Sequence, residues 1–358
     1  MRLTVLSVAY PFAPVGPDAV GGAEQVLSVL DHALVRAGHQ SVVVACAGSA
    51  THGRLVATAR IAAAITEAER RNAYRRHRAA IERALRRWPV DLIHMHGIDF
   101  DAYLPPPGPP VLVTLHLPPE WYAPDALRPA RPDTFLHCVS AAQRARCPPD
   151  VPLLPEIPNG VPVAALAACH ARRNFALTLG RICPEKGFHL ALAAARRAGV
   201  PLLLAGAVFG YAAHEIYFAR EVVPRLDRER RFIGPIGFRR KRRLLTAARC
   251  VLIPSLAPET SSLVAMEALA CGTPVIAFAA GALPEIVEHG RTGFIVQDER
   301  EMADAIHAAA AIGRGTCRQA ARARFSHERM SERYLALYRE LVTASRGRAE
   351  RTLAEAGA

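Results

Sequence analysis

The stretch Pro258-Glu-Thr-Ser-Ser-Leu-Val-Ala-Met-Glu-Ala-Leu-Ala-Cys-Gly-Thr-Pro-Val-Ile-Ala277 decides how this chain folds. Ser262–Ala270 is apolar and helix-forming, Gly272-Thr-Pro274 is a turn, and Pro274–Ala277 is a short strand-like run. Another strand-like run, Cys250–Pro254, comes just before. Strand, helix, turn and strand in close succession predict a parallel crossover unit. The same stretch carries two carboxylates, Glu259 and Glu267, with seven residues between them. A structural helix seldom needs an acid at both places.

The alternation extends outward over most of the chain. In the first half the pattern predicts strands at Leu3–Ala9, Ser41–Cys46, Leu92–His94, Val111–Leu115, Phe135–Val139 and Leu153–Pro155. Helices are predicted at Gly22–Ala37, Ile65–Trp88 and Ala141–Arg146. Leu104-Pro-Pro-Pro-Gly-Pro-Pro110 must be a loop, because proline removes a backbone donor. Turn residues cluster from Pro155 to Arg173, where the domain linker is expected. The second half restarts with strands at Phe175–Leu179, Pro201–Ala205, Arg231–Ile233, Cys250–Pro254, Pro274–Ala277 and Gly293–Val296. Helices are expected at Pro184–Ala198, His214–Leu226, Arg239–Ala247, Ser262–Ala270 and Leu283–His289, with a final run at Ser331–Ser345. The expected division is a first domain over 1–165 and a second over 170–330, with the helix at about 331–346 packing back on the first. No internal repeat is visible.

A chain of 358 residues is long for one core. Half of it is hydrophobic and about a fifth charged, as in globular proteins. No apolar run approaches the roughly 18 residues of a membrane span. The opening Met1–Ala9 is too short for a signal peptide and reads as a buried strand. None of the eight cysteines forms a Cys-x-x-Cys pair, so reduced thiols in a cytosolic protein are expected and no metal site. The net charge of +13 suits an anionic partner.

Only two of the 45 basic residues are lysines, Lys186 and Lys241. Lys186 lies in Gly180-Arg-Ile-Cys-Pro-Glu-Lys-Gly187, just after a strand, where a compact ammonium suits a phosphate. Gly21-Gly22-Ala-Glu24 opens a helix, and glycines there let backbone N–H groups approach an anion. His116 ends the strand Val111–Leu115, placed to hydrogen-bond a substrate hydroxyl or a leaving phosphate. His94 and His96 share one face of a strand end, which fits a metal pair but more readily packing or backbone bonding. Asp99-Phe-Asp101 reads as loop acids. Glu259 precedes a helix whose first N–H groups can hold a diphosphate or sugar oxygen, with hydroxyls from Thr260, Ser261 and Ser262 beside it. Glu267 falls about two turns on, and if partly buried it wants donors such as ribose hydroxyls. The basic helix Glu69–Trp88 has Tyr74, Ile81, Leu85 and Trp88 along one stripe, leaving its arginines to a solvated face or to anionic lipid. Arg239-Arg-Lys-Arg-Arg243 reads as helix surface. No nucleic-acid motif accompanies either cluster.

These residues resemble a known family over nearly the full length. Gly180-Arg181…Glu185-Lys186-Gly187, Glu259-x7-Glu267 with Ala-Cys-Gly-Thr-Pro-Val-Ile-Ala, and Leu283-Pro-Glu-Ile-Val287…Gly290-x-x-Gly293 carry the resemblance. Asp91…His96-Gly97 and Pro158-Asn-Gly-Val161 fit it too. The chain is similar to retaining glycosyltransferases of family 4, also called group 1. The resemblance implies an α/β, GT-B fold, two Rossmann-like domains with parallel sheets facing across a cleft. It implies that Arg181 and Lys186 bind the donor diphosphate, Glu267 the ribose, and Glu259 the donor sugar at the reacting centre. Gly21, Gly22 and His116 would act from the first domain, Ile236 would lie by the base, and Thr260–Leu263 would line the donor. The chain departs from the family pattern at Thr260-Ser261-Ser262, where Gly-Phe-Gly is usual, and at Gly281-Ala282, where Gly-Gly is usual.

The expected activity is transfer of a sugar from a nucleotide-sugar to an acceptor hydroxyl, in cell-surface polysaccharide or glycolipid synthesis. No cofactor and no metal are expected. The acceptor would be a glycan, a lipid-linked or a small-molecule hydroxyl, with an anionic membrane surface as a further partner and no nucleic acid. The expected place is the cytoplasm, including the inner face of the membrane. The alternatives are a nucleotide-sugar epimerase of the same architecture, which needs no acceptor, and a non-catalytic nucleotide-binding scaffold, which never turns over.

Overall fold

The computed structural model describes residues 1–60 and 65–356, with side chains through residue 348. The chain divides into two compact units, Met1–Pro158 with Met330–Ala358, and Asn159–Arg329.

Among the described residues the first unit holds a seven-stranded sheet. Its strands are β1 Thr4–Val8, β2 Gln40–Ala45, β3 Arg54–Ala57, β4 Leu92–Met95, β5 Val111–Leu115, β6 Thr134–Cys138 and β7 Leu153–Leu154. They run in the order β3-β2-β1-β4-β5-β6-β7, all parallel. β1 and β5 are buried at every residue, as strands covered on both faces must be. One face is covered by α1 (Gly22–Arg36), through Val26, Leu30 and Leu34. The other is covered by α2 (Glu67–Arg87), through His77, Ala80, Ile81 and Ala84. A short helix, α3 (Ala141–Arg144), follows β6.

The second unit opens with α4 (Val163–Leu166). Its strands are β8 Ala176–Leu179, β9 Leu202–Ala205, β10 Arg230–Phe232, β11 Cys250–Ile253, β12 Val275–Phe278 and β13 Gly293–Val296. Among the described residues they form a six-stranded parallel sheet, β10-β9-β8-β11-β12-β13. The helices are α5 Phe188–Arg197, α6 Ala212–Tyr217, α7 Phe238–Ala247, α8 Leu263–Cys271, α9 Leu283–Ile286, α10 Glu299–Ala308 and α11 Arg314–Arg324. Both sheets reverse strand order beside their first strand, between β1 and β4 and between β8 and β11. Such switch points are where open parallel sheets bind ligands.

The last helix, α12 (His327–Ala356), returns the chain to the first unit. Met330, Tyr334, Tyr338, Leu341 and Val342 repeat at helical spacing and bury against Leu3, Val5, Leu92 and Leu112. Among the described residues no helix is long and apolar enough to cross a membrane.

Four expectations need correction. The first unit ends at Pro158 rather than 165, because Val161, Val163 and Leu166 bury in the second unit's core and the Val161 N–H donates to the Phe325 carbonyl. β3 was not predicted. It is a four-residue, largely exposed edge strand with no apolar alternation to reveal it. The predicted helix His214–Leu226 instead passes from α6 through a π turn at Phe218–Val222 to a tight turn containing Pro224, which has no N–H to continue it. The predicted Pro184–Ala198 is interrupted at Gly187, whose φ is 63°.

Polar groups bind α12 to the sheet as well. His94 Nδ1 meets the Tyr338 hydroxyl at 2.7 Å, and His94 Nε2 meets Thr114 Oγ1 at 2.7 Å. Thr114 Oγ1 also bonds His137 Nε2 at 2.7 Å and the Tyr334 hydroxyl at 3.2 Å. On α2, His77 Nε2 bonds the Ala9 carbonyl at 3.1 Å. Burial disfavours the charged ring in each case, holding His94 well below its usual range and pressing His77 and His137 down to about 4. Unfolded, these rings take up protons as the pH falls through about 6.5. Folded, His77 and His137 stay neutral to about 4 and His94 also stays neutral well below its usual range, so stability is full above pH 6.5 and is lost as the pH falls below it. Each ring contributes about 1.4 kcal/mol per pH unit. Urea unfolding followed from pH 7 to 4.5 should show this acid loss. His77→Gln keeps a donor for Ala9 and removes one titrating ring, so its slope should be shallower by one such increment. An unchanged slope would contradict the assignment.

Candidate functional site

At the β8/β11 switch point two loops leave the carboxyl ends of adjacent strands. The loop after β8 runs Gly180–Gly187, and the loop after β11 runs Pro254–Ser262. Gly187 lets them approach. A Cβ at this position would lie 2.1 Å from the Pro254 carbonyl oxygen, and the residue adopts positive φ. The Leu256 N–H donates to the Glu185 carbonyl at 2.8 Å and ties the loops further. This closeness brings Lys186 Nζ to 2.5 Å from Glu259 Oε1. Ser255, buried at the end of β11, donates its hydroxyl to the same oxygen at 2.5 Å. The Glu259 side chain is 10% exposed, so its charge is largely removed from water and must be matched.

A third loop, after β12, holds Glu259 from behind. The Ala282 N–H donates to the Glu259 carbonyl at 2.8 Å, and Glu259 forms an isolated bridge with Gly281. Gly281 has φ 58°, and a Cβ there would lie 2.2 Å from the Glu259 carbonyl oxygen. Of the two positions where Gly-Gly is usual, only 282 departs, and the glycine that this approach requires is present. Ala282 is buried without conflict.

α8 begins at Leu263 and is capped by Ser262, whose Oγ accepts the Ala265 N–H at 3.4 Å. Its Glu267 is more deeply buried than expected, with a side chain 5% exposed. Lys241 Nζ, from α7, lies 2.5 Å from Glu267 Oε1. Burial raises the Glu267 carboxyl and the ammonium opposes that rise. The reading of Arg239–Arg243 as plain helix surface is therefore corrected at its centre. Arg239, Arg240 and Arg243 are exposed, while Lys241 turns in to a buried acid. The scarcity of lysine could have found it, since Lys241 is as rare in this chain as Lys186.

The other predicted residues are placed as follows. Arg181 is partly buried, near enough to His214 to depress its pKa. Thr260 and Ser261 are partly buried ahead of α8, and the Ser261 hydroxyl is enclosed without a hydrogen-bond partner among the described residues. Ile236 is partly buried in the turn after β10. In the first unit, Gly21 and Gly22 open α1. The expected space for an anion there holds the chain's own Glu24 carboxylate, 1.9 Å from where a Gly21 Cβ would stand. His116 Nε2 lies 3.0 Å from His96 Nδ1, and its backbone N–H donates to the Tyr122 hydroxyl at 2.9 Å. Desolvation, then His137, presses His116 down to about 3, so the ring is neutral at ordinary pH. His94 and His96 serve packing and hydrogen bonding, and Asp99 accepts the Tyr103 hydroxyl at 2.8 Å.

Two doubly wound parallel sheets, with facing loops of this kind in the second, define a protein of the GT-B class. Residues 20–165 match the family described as Glycosyltransferase Family 4, and residues 173–311 match Glycosyl transferases group 1. The chain belongs to this family of group 1, family 4 glycosyltransferases. Among solved structures it is similar to AviGT4, a glycosyltransferase involved in avilamycin A biosynthesis, at 27% identity and TM-score 0.70, covering 96% of this chain and 98% of that one. It shares its fold with sucrose-phosphate synthase of Thermosynechococcus elongatus, at 23% identity and TM-score 0.79, covering 96% and 100%. Anabaena HepE, solved in complex with UDP-glucose, shares it at 20% identity and TM-score 0.72, again covering 96% and 100%. The D-inositol 3-phosphate glycosyltransferase of Mycobacterium bovis is 37% identical over 176 residues, 46% of this chain and 36% of the relative. That match spans about a third of the relative's length.

Lys241→Met should leave Glu267 buried and unpaired, costing about 3–5 kcal/mol in urea unfolding. Lys241→Met with Glu267→Leu removes both charges and should recover most of that loss. Equal destabilisation in the two variants would show that packing, not charge matching, holds the pair.

Proposed function

We propose that the chain is a retaining glycosyltransferase that moves a sugar from a nucleotide-sugar to an acceptor hydroxyl. The observation that carries the reading is the Lys186–Glu259 pair at the β8/β11 switch point, in a chain of this family. Arg181 and Lys186 take the donor diphosphate. The first N–H groups of α8, with Thr260, Ser261, Ser262 and Leu263 around them, take a further donor oxygen. Glu267 takes the ribose hydroxyls, and Ile236 lies by the base. Within the first unit, Gly21, Gly22 and His116 are the groups assigned to substrate.

In the reaction the bond from the anomeric carbon to the diphosphate oxygen breaks, and a bond to the acceptor oxygen forms on the same side. The acceptor proton passes to the departing phosphate. Positive charge grows on the sugar beside the Glu259 carboxylate. Negative charge grows on the diphosphate beside Arg181 and Lys186, so the leaving group is stabilised by fixed cations without a metal. Ser255 and Lys186 keep Glu259 in one orientation, which spares reorganisation during the reaction.

HepE, in its complex with UDP-glucose, makes uridine diphosphate the first nucleotide to test. Thermal unfolding with UDP, GDP and ADP should show stabilisation by one of them, about 2.7 kcal/mol at a hundredfold excess over Kd. Glu267→Ala should remove the shift. Glu259→Ala should keep most of it while lowering transfer by roughly a hundredfold to a thousandfold. No shift with any nucleotide, or normal transfer by Glu259→Ala, would overturn the reading.

The acceptor is proposed to be a glycan, lipid-linked or small-molecule hydroxyl, met at the inner face of an anionic membrane. The exposed arginines of α2, among them Arg71, Arg75, Arg78 and Arg83, support that placement. Co-sedimentation with vesicles containing about 30% phosphatidylserine should be lost when these four are changed to glutamine, and retention by that variant would remove the membrane from the proposal.

A further inference from the structure

Cysteine spacing argues against a metal site, yet the tertiary structure assembles a mixed donor set that spacing does not reveal. Cys183 and Glu185 lie in the loop after β8, and His214 lies on α6. One ligand atom from each falls within 4.8 Å of the other two. Cys183 is buried, and the other two are partly buried. Glu185 Oε2 and His214 Nδ1 are shielded from solvent, and neither has a hydrogen-bond partner among the described residues. An enclosed polar atom without a partner is costly. The Glu185 carboxylate already faces the Cys183 thiol, and the unpartnered His214 nitrogen converging on that pair points to an absent electrophile. The Cys183 thiol makes a long contact, 3.5 Å, to the Arg181 carbonyl and also donates to the Glu185 carboxylate.

We propose that Cys183, Glu185 and His214 form a binding site for one divalent cation of the zinc class. Sulfur, imidazole nitrogen and carboxylate oxygen together are the donors that zinc accepts, whereas magnesium and calcium take oxygen alone. Zinc bond lengths of about 2.0–2.3 Å place tetrahedral ligand atoms roughly 3.5 Å apart. Side-chain movements of about 1 Å therefore close the set, and three protein ligands leave the fourth position to water. Binding releases the Cys183 thiol proton to solvent, because only the thiolate coordinates. The Arg181 charge opposes the cation, and the Glu185 carboxylate and the new thiolate offset it. The site stands beside the residues assigned to the donor and does not rest on the transferase reading.

Cobalt(II) alone, added to the full chain under a phosphine reductant, tests the site, because thiolate ligation gives a near-ultraviolet charge-transfer band. Cys169, the exposed cysteine, is the main competing thiol, so the titration uses a Cys169→Ser background. One equivalent of cobalt should bring the band to saturation, and zinc should then abolish it. Cys183→Ser should remove the band. His214→Gln, on a short and partly exposed helix, should keep the fold and weaken cobalt binding by about tenfold or more. Absence of the band, its persistence in Cys183→Ser, or unchanged affinity in His214→Gln would overturn the proposal.

Discussion

Two carboxylates largely withdrawn from water, each neutralised by one of the chain's two lysines, are the constraint on which the second unit is built. Lys186 meets Glu259 and Lys241 meets Glu267, both at 2.5 Å. A carboxylate taken from water without a partner is expensive, and a paired one has little surplus stability to offer. Such pairs are better understood as fixing geometry than as adding stability. The surface cations of this protein are almost all arginines. Lysine stands at the two places where a compact ammonium must reach one oxygen of an enclosed acid.

The sheet order makes these pairs reachable. β8 and β11 are neighbours although far apart in sequence, so the loops that follow them leave side by side. The approach is closer than side chains allow, and it depends on glycine at Gly187 and Gly281. Gly187 lets the Lys186 loop lie against Pro254, and Gly281 lets the loop after β12 clasp the Glu259 backbone. The three loops thus hold one carboxylate through backbone contacts on one side and Lys186 and Ser255 on the other. The first unit uses a different device. Thr114 joins His94, His137 and Tyr334, and His94 continues to Tyr338, so a polar chain pins α12 to the sheet inside an otherwise apolar layer.

The elements with strong patterns were legible in the sequence. The apolar runs at Val111–Leu115 and Gly293–Val296 became strands with those bounds, and the first is buried at every residue because strands covered on both faces are continuous apolar segments. The edge strand Arg54–Ala57 escaped because one exposed side leaves no pattern. Lys186 and Glu259 drew notice by their neighbours, a strand end and a Gly-flanked turn. Lys241 did not, because its arginine neighbours made it look like surface, and only the packing of α7 on α8 turns it inward. His94 of β4 was visible, but its hydrogen-bond partner Tyr338 lies more than 200 residues away.

By itself the sequence determined the class: alternating helices and buried strands, two sheets, family motifs in order, and the identity of the acids and cations. These follow from local periodicity and composition, which act over a few residues. The tertiary structure alone decided which cation holds which acid, that Glu24 occupies the start of α1, and that Cys183, Glu185 and His214 converge. Those choices depend on strand order and on ångström-scale backbone approach between segments remote in sequence, which local patterns do not encode.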